Sequence, residues 1–114
     1  MAALTIDCAD VSKMAQFYSA ATGGDLGHNG TTVTVDGLLV IFREVSDHQA
    51  PTWPSADVPM QMHFEFTVQS LETAEAVLLD LGATKPIQPA PFPGAGPMVV
   101  LQDPAGHPFC IFPA

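Results

Sequence analysis

The chain has 114 residues, enough for one domain with its own core, and its 47% hydrophobic content includes no run near the ~18 apolar residues that would span a bilayer. Its formal net charge is −9, with Lys13, Arg43 and Lys85 as its only cations, which argues against a nucleic-acid or membrane partner and favours cationic ligands. The start, Met1 to Asp7, lacks the basic and apolar regions of a signal peptide, so a soluble cytoplasmic protein is expected. Two cysteines, Cys8 and Cys110, do not make a disulfide framework and are expected as free thiols.

Leu4 to Cys8 alternates and predicts a strand, with Leu4, Ile6 and Cys8 on one face and Ala3, Thr5 and Asp7 on the other. Asp10 has the character of an N-cap, and Val11, Met14, Phe17, Tyr18 and Ala21 recur at helical spacing until Gly23-Gly24 stops the helix. His28-Asn29-Gly30 and Asp36-Gly37 are turn sequences around a β-branched strand, Thr31 to Val35. Leu38 to Glu44 is a longer strand. Pro51, Pro54 and Pro59 then mark a linker, in which Trp53 either plugs the sheet or walls a ligand pocket.

Met60 to Val68 alternates without exception, giving one apolar face (Met60, Met62, Phe64, Phe66, Val68) and one polar face (Gln61, His63, Glu65, Thr67). His63 and Glu65 are two residues apart, so an imidazole and a carboxylate point the same way. Ser70 caps a second helix with a predicted buried stripe of Leu71, Ala74, Val77, Leu78 and Leu81, ended by Gly82. Strands are expected at Thr84 to Gln88, Met98 to Gln102 and His107 to Phe112, with a Pro/Gly loop from Pro89 to Pro97 and a turn at Asp103-Pro-Ala-Gly.

The two halves align at an offset of sixty residues, Leu4 on Phe64, Ile6 on Phe66, Val11 on Leu71 and Tyr18 on Leu78. Each half reads strand, helix, three strands. The predicted architecture is α+β: two βαβββ modules forming a curved mixed sheet around a cavity, with the helices on the outer face. Within a single domain, 1–114, module one is placed at 1–45, the linker at 46–59 and module two at 60–114.

Three stretches, Asp10 to Gly23, Met62 to Val68 and Val100 to Phe112, together with the paired modules, resemble the vicinal oxygen chelate superfamily. It includes glyoxalase I, extradiol dioxygenases, epimerases, fosfomycin-resistance enzymes and bleomycin-resistance binding proteins. Trp53-Pro54 followed by Pro59-Met-Gln-Met-His63 is similar to its glyoxalase-like domain subgroup. The resemblance implies a divalent-metal position on the first and last strand of each module. Carried onto this chain, those positions fall on Ala3, which cannot ligate, on His63, on a glutamate displaced to Glu44, and on Cys110. No cofactor is therefore predicted; the fallback ligand set is His63, Glu44 and Cys110. Chains of this kind usually pair, so a homodimer is expected.

Without a metal, the expected ligand-binding residues are Gln61, His63, Glu65, Trp53, Cys110 and Phe112. His63 is the candidate general base and Glu65 its orienting partner. The alternative for this pair is a hydrogen-bonded histidine with no chemistry. Two functions follow: a pocket protein that binds or transforms a hydrophobic or cationic metabolite or drug, or a metal-dependent glyoxalase-like lyase or dioxygenase.

Overall fold

A computed structural model describes residues 2–53, 55, 57–88 and 96–114. The chain divides into two compact units, Met1–Gln49 and Ala50–Ala114. The first contains β1 (Ala3–Cys8), α1 (Val11–Thr22), β2 (Asp25–Gly27), β3 (Thr32–Val35) and β4 (Leu38–Glu44). The second contains β5 (Phe64–Val68), α2 (Leu71–Leu81), β6 (Val99–Gln102) and β7 (Pro108–Pro113). None of the described helices is long and apolar enough to cross a membrane.

In the first unit the Asp10 side chain accepts from the Lys13 amide at 3.0 Å, and Gly23, at φ 73, closes the helix by donating to the Ser19 carbonyl at 2.9 Å. Met14, Phe17 and Tyr18 are buried, and the Tyr18 ring stacks on Phe42 at 5.7 Å, which ties α1 to β4. Gly24 has to be glycine, because a Cβ there would fall on the Thr34 carbonyl oxygen and crowd Val33. The sheet order is β1-β4-β3-β2, with β1 and β4 parallel. The β3–β4 hairpin turns on Asp36 and Gly37, both at positive φ.

The second unit repeats this plan. Ser70 caps α2 through the Thr73 amide at 3.3 Å, and Gly82 ends it in the left-handed region. The order is β5-β7-β6, with β5 and β7 parallel. The core gathers on one face: Phe64 and Phe66 have ring centroids 5.4 Å apart, and Phe66 meets Phe109 edge-on at 5.9 Å. Phe109, Ile111 and Leu101 are fully buried.

Three expectations are corrected here. The curved sheet around a cavity is not formed among the described residues, which make two open sheets, one of four strands and one of three, each with two edges. Alternation decides which face of a strand is polar, but curling requires edges to pair or bulges to bend them, and neither is encoded by parity. The strand expected over Thr84 to Gln88 shrinks to one bridge, in which Thr84 and Gln102 exchange amide bonds of 2.9 and 2.7 Å. Pro86 has no N–H to continue it. Instead the Gln88 side-chain amide donates to the Val100 carbonyl and accepts from its N–H, both at 2.9 Å. Finally, the α2 stripe is only partly buried. Leu78 is buried, but Val77 is 53% and Leu81 38% exposed. The expected Pro/Gly loop falls at 89–95 outside the described residues.

The β6–β7 connection is held by a carboxylate. Buried Asp103 accepts from the amides of Ala105 at 2.9 Å and His107 at 3.0 Å, while its own amide bonds the His107 carbonyl at 2.9 Å. Gly106 completes the turn at φ 88, where a Cβ would lie 2.5 Å from that of Ala50. Asp103→Ala strands two amides, so it should lower unfolding stability by about 2–3 kcal/mol. Urea titration should show the midpoint falling with an unchanged slope, and Asp103→Asn should recover part of the loss.

Candidate functional site

The candidate site is the face of β5 and β7 opposite the phenylalanine core. The parallel register pairs Glu65 with Cys110 and Thr67 with Phe112, and on the far side of β7 Cys110 pairs with Val100. Residues paired across a ladder share a face, so Glu65, Thr67, Cys110 and Phe112 form two adjacent rows. Cys110 is buried and Phe112 half-buried.

His63 stands one residue before β5. Its Nε2 lies 3.2 Å from Glu65 Oε2. The His63 side chain is 30% exposed and that of Glu65 59%, so the imidazole is largely covered while the carboxylate reaches into solvent. A carboxylate only accepts, so the bond is satisfied when Nε2 carries the proton and Nδ1 keeps its lone pair. In that tautomer Nδ1 is left as a hydrogen-bond acceptor.

Burial pushes the Cys110 thiol up, and the neighbouring charge of Glu65 pushes it further. Near neutral pH it remains a thiol, which makes it a small apolar floor and a poor metal ligand.

Gln61, Trp53 and Glu44 stand outside the β5–β7 ladder. The strand over Met60 to Val68 begins only at Phe64: in register His63 would face Pro108, which has no N–H to give. Gln61 sits in a turn at φ 62, exposed, with the Met62 amide donating to the Met60 carbonyl at 2.7 Å. It does not share a ladder face with His63. Trp53 is half-buried in a turn of a loop pinned at both ends, where the Thr52 amide donates to the Val58 carbonyl and the Val58 amide to Thr52 Oγ1, each at 2.8 Å. Pro54, its partner in the sequence motif, is outside the described residues. Glu44 is in register with Cys8, which puts it on the face of Val40 and Phe42, the face that packs under α1.

One interaction was not apparent from sequence. Arg43 holds Asp7 through two bonds of 2.8 and 3.0 Å on the polar face of β1 and β4. The residues are 36 apart, and only the parallel register brings them opposite each other. The acid of that face is thus already paired.

This donor set does not fit a divalent ion. Ala3 offers no ligand, Glu44 is on the helix face of its sheet, Cys110 keeps its proton and Glu65 engages His63. Among the described residues, no three His, Cys, Asp or Glu side chains stand where they could hold a metal.

The family described as a glyoxalase-like domain matches residues 3–112. Solved structures are similar across the whole chain. A fosfomycin resistance protein, FosX, from Listeria monocytogenes, complexed with Mn(II) and sulfate, shares 17% identity at a TM-score of 0.75, over 100% of this chain and 89% of its own. A glyoxalase/bleomycin resistance protein from Albidiferax ferrireducens shares 17% at 0.64, over 100% and 98%. A hypothetical protein from S. aureus shares 19% at 0.69, over 100% and 93%. At these identities the likeness is one of fold. A search of curated proteins finds no match.

The Glu65–Cys110 juxtaposition is open to a direct check. Glu65→Gln removes the charge that helps to keep the thiol protonated, so the thiolate fraction at pH 8 should rise. Alkylation of Cys110 by iodoacetamide, followed by peptide mass spectrometry to separate it from Cys8, should become about two- to fivefold faster. An unchanged rate would mean that Glu65 does not act on the thiol.

Proposed function

The chain belongs to the glyoxalase-like domain family, and from that premise we propose that it binds a small hydrophobic or cationic molecule on the polar face of β5 and β7, without a full metal site. The observation that carries this reading is the His63–Glu65 pair at 3.2 Å beside the protonated thiol of Cys110. His63 contacts the ligand through Nδ1. Glu65 orients the ring and presents its outer oxygen to positive charge. Cys110 and Phe112 supply the apolar surface.

Charge supports a cationic ligand. The chain carries −9 overall, and in the second unit Lys85 is already engaged by Glu75 at 2.6 Å. An organic cation would meet no competing ammonium at Glu65. The resistance proteins of similar fold carry names tied to drugs, fosfomycin and bleomycin, which suits capture of a drug or metabolite. The same pair has the groups for proton transfer, so a bound carbonyl compound could also be transformed. The protein is further proposed to pair as a homodimer, for which light scattering at micromolar concentration should return twice the 12.0 kDa chain mass.

Thermal denaturation tests the ligand reading. Mn²⁺, Ni²⁺ and Zn²⁺ should leave Tm unchanged, whereas a bulky aromatic cation such as ethidium should raise it; at a hundred times Kd the gain is about 2.7 kcal/mol. His63→Ala should keep the wild-type Tm and weaken that binding about tenfold or more, roughly 1.4 kcal/mol. A metal-induced rise in Tm that disappears in His63→Ala would instead establish a metal-dependent lyase or dioxygenase.

A further inference from the structure

Unbroken alternation from Met60 to Val68 should carry the strand straight through His63, yet the ladder stops short of it. On one side the next partner in register is Pro108. On the other, Gln61 enters the left-handed region at φ 62 and the Met62 amide closes a three-residue turn onto the Met60 carbonyl at 2.7 Å. Glutamine adopts that conformation at a cost that glycine would not incur. The Gln61 side chain is exposed, so its effect runs through the backbone. Strain of this kind persists where it sets the geometry of a functional group.

We propose that Gln61 is a positioning residue: its left-handed turn aims the chain so that His63, free of the ladder, lies against Glu65 with the ring in one orientation. This rests on the reading that the His63–Glu65 pair contacts the ligand. The turn therefore replaces the ladder as the restraint on His63. Residues from Phe64 onward are held by β7, whereas His63 is held by Gln61 before it and by the 3.2 Å bond to Glu65 after it.

The test compares wild type with Gln61→Gly, Gln61→Asn and Gln61→Val, using Tm, ethidium affinity, and the ring nitrogens of His63 in two-bond ¹H–¹⁵N spectra at a single pH. Glu65→Ala supplies the ring signals of the unbonded imidazole. Glycine adopts the turn without strain but does not enforce it. Its Tm should rise while the His63 nitrogens move toward the Glu65→Ala values and ethidium binding weakens at least threefold. Valine, which resists positive φ, should lower Tm and shift the ring further. Asparagine, which tolerates the left-handed region, should keep the wild-type ring signals and affinity. A turn that merely joins two segments would give wild-type ring nitrogens in the glycine and valine variants, and that result overturns the proposal. If wild type binds no ethidium, the ligand reading fails, and the ring nitrogens still decide the role of Gln61.

Discussion

The parallel register of β5 against β7 is the constraint on which the second unit depends. With Phe64 opposite Phe109 and Phe66 opposite Ile111, these four apolar side chains share the core face, while Glu65 and Thr67 face away beside Cys110 and Phe112. A slip of one residue would bury Glu65 and expose the phenylalanines, so register and core packing enforce each other. The same register brings Glu65 beside Cys110 and sets the thiol chemistry. It also presents Pro108 to His63, which ends the ladder and leaves the imidazole free to turn toward a carboxylate. Fold and site here have one cause.

The polar faces of the two units treat their carboxylates differently. Asp7 is gripped by a guanidinium through two bonds. Glu65 is partnered by an imidazole through a single 3.2 Å bond, with its side chain 59% exposed. Of the two, the first is held by two bonds and the second by one. The asymmetry is chemical and stands on equivalent strands of an internal repeat, β1 and β5.

Much of this was legible in the sequence because it depends on near neighbours. Asp10 and Ser70 cap their helices, Gly23 and Gly82 end them, and the sixty-residue offset relates the two modules. His63 and Glu65, two residues apart, do meet, although His63 stands before the strand begins. What was not legible depends on partners distant in sequence. Asp7 meets Arg43, and Glu44 turns to the helix side, through pairing 36 residues long. The strand begins late because of Pro108, forty-five residues beyond His63. The helical stripe of α2 was correct as a pattern, but how much of it is covered depends on the packing around it, which periodicity does not contain. The expected curling of the sheets failed for the same reason, since it is a property of edges.

The side-chain amide of Gln88 has a consequence of its own. It is a primary amide placed where a neighbouring strand would put a peptide group, and it occupies both the N–H and the C=O of Val100. Two residues along, Thr84 does the same for Gln102 with its backbone. The outer border of β6 is therefore already saturated over most of its length. A foreign extended chain would find the outward groups of Val100 and Gln102 already engaged, so this edge of the three-stranded sheet is shielded from growing by recruitment.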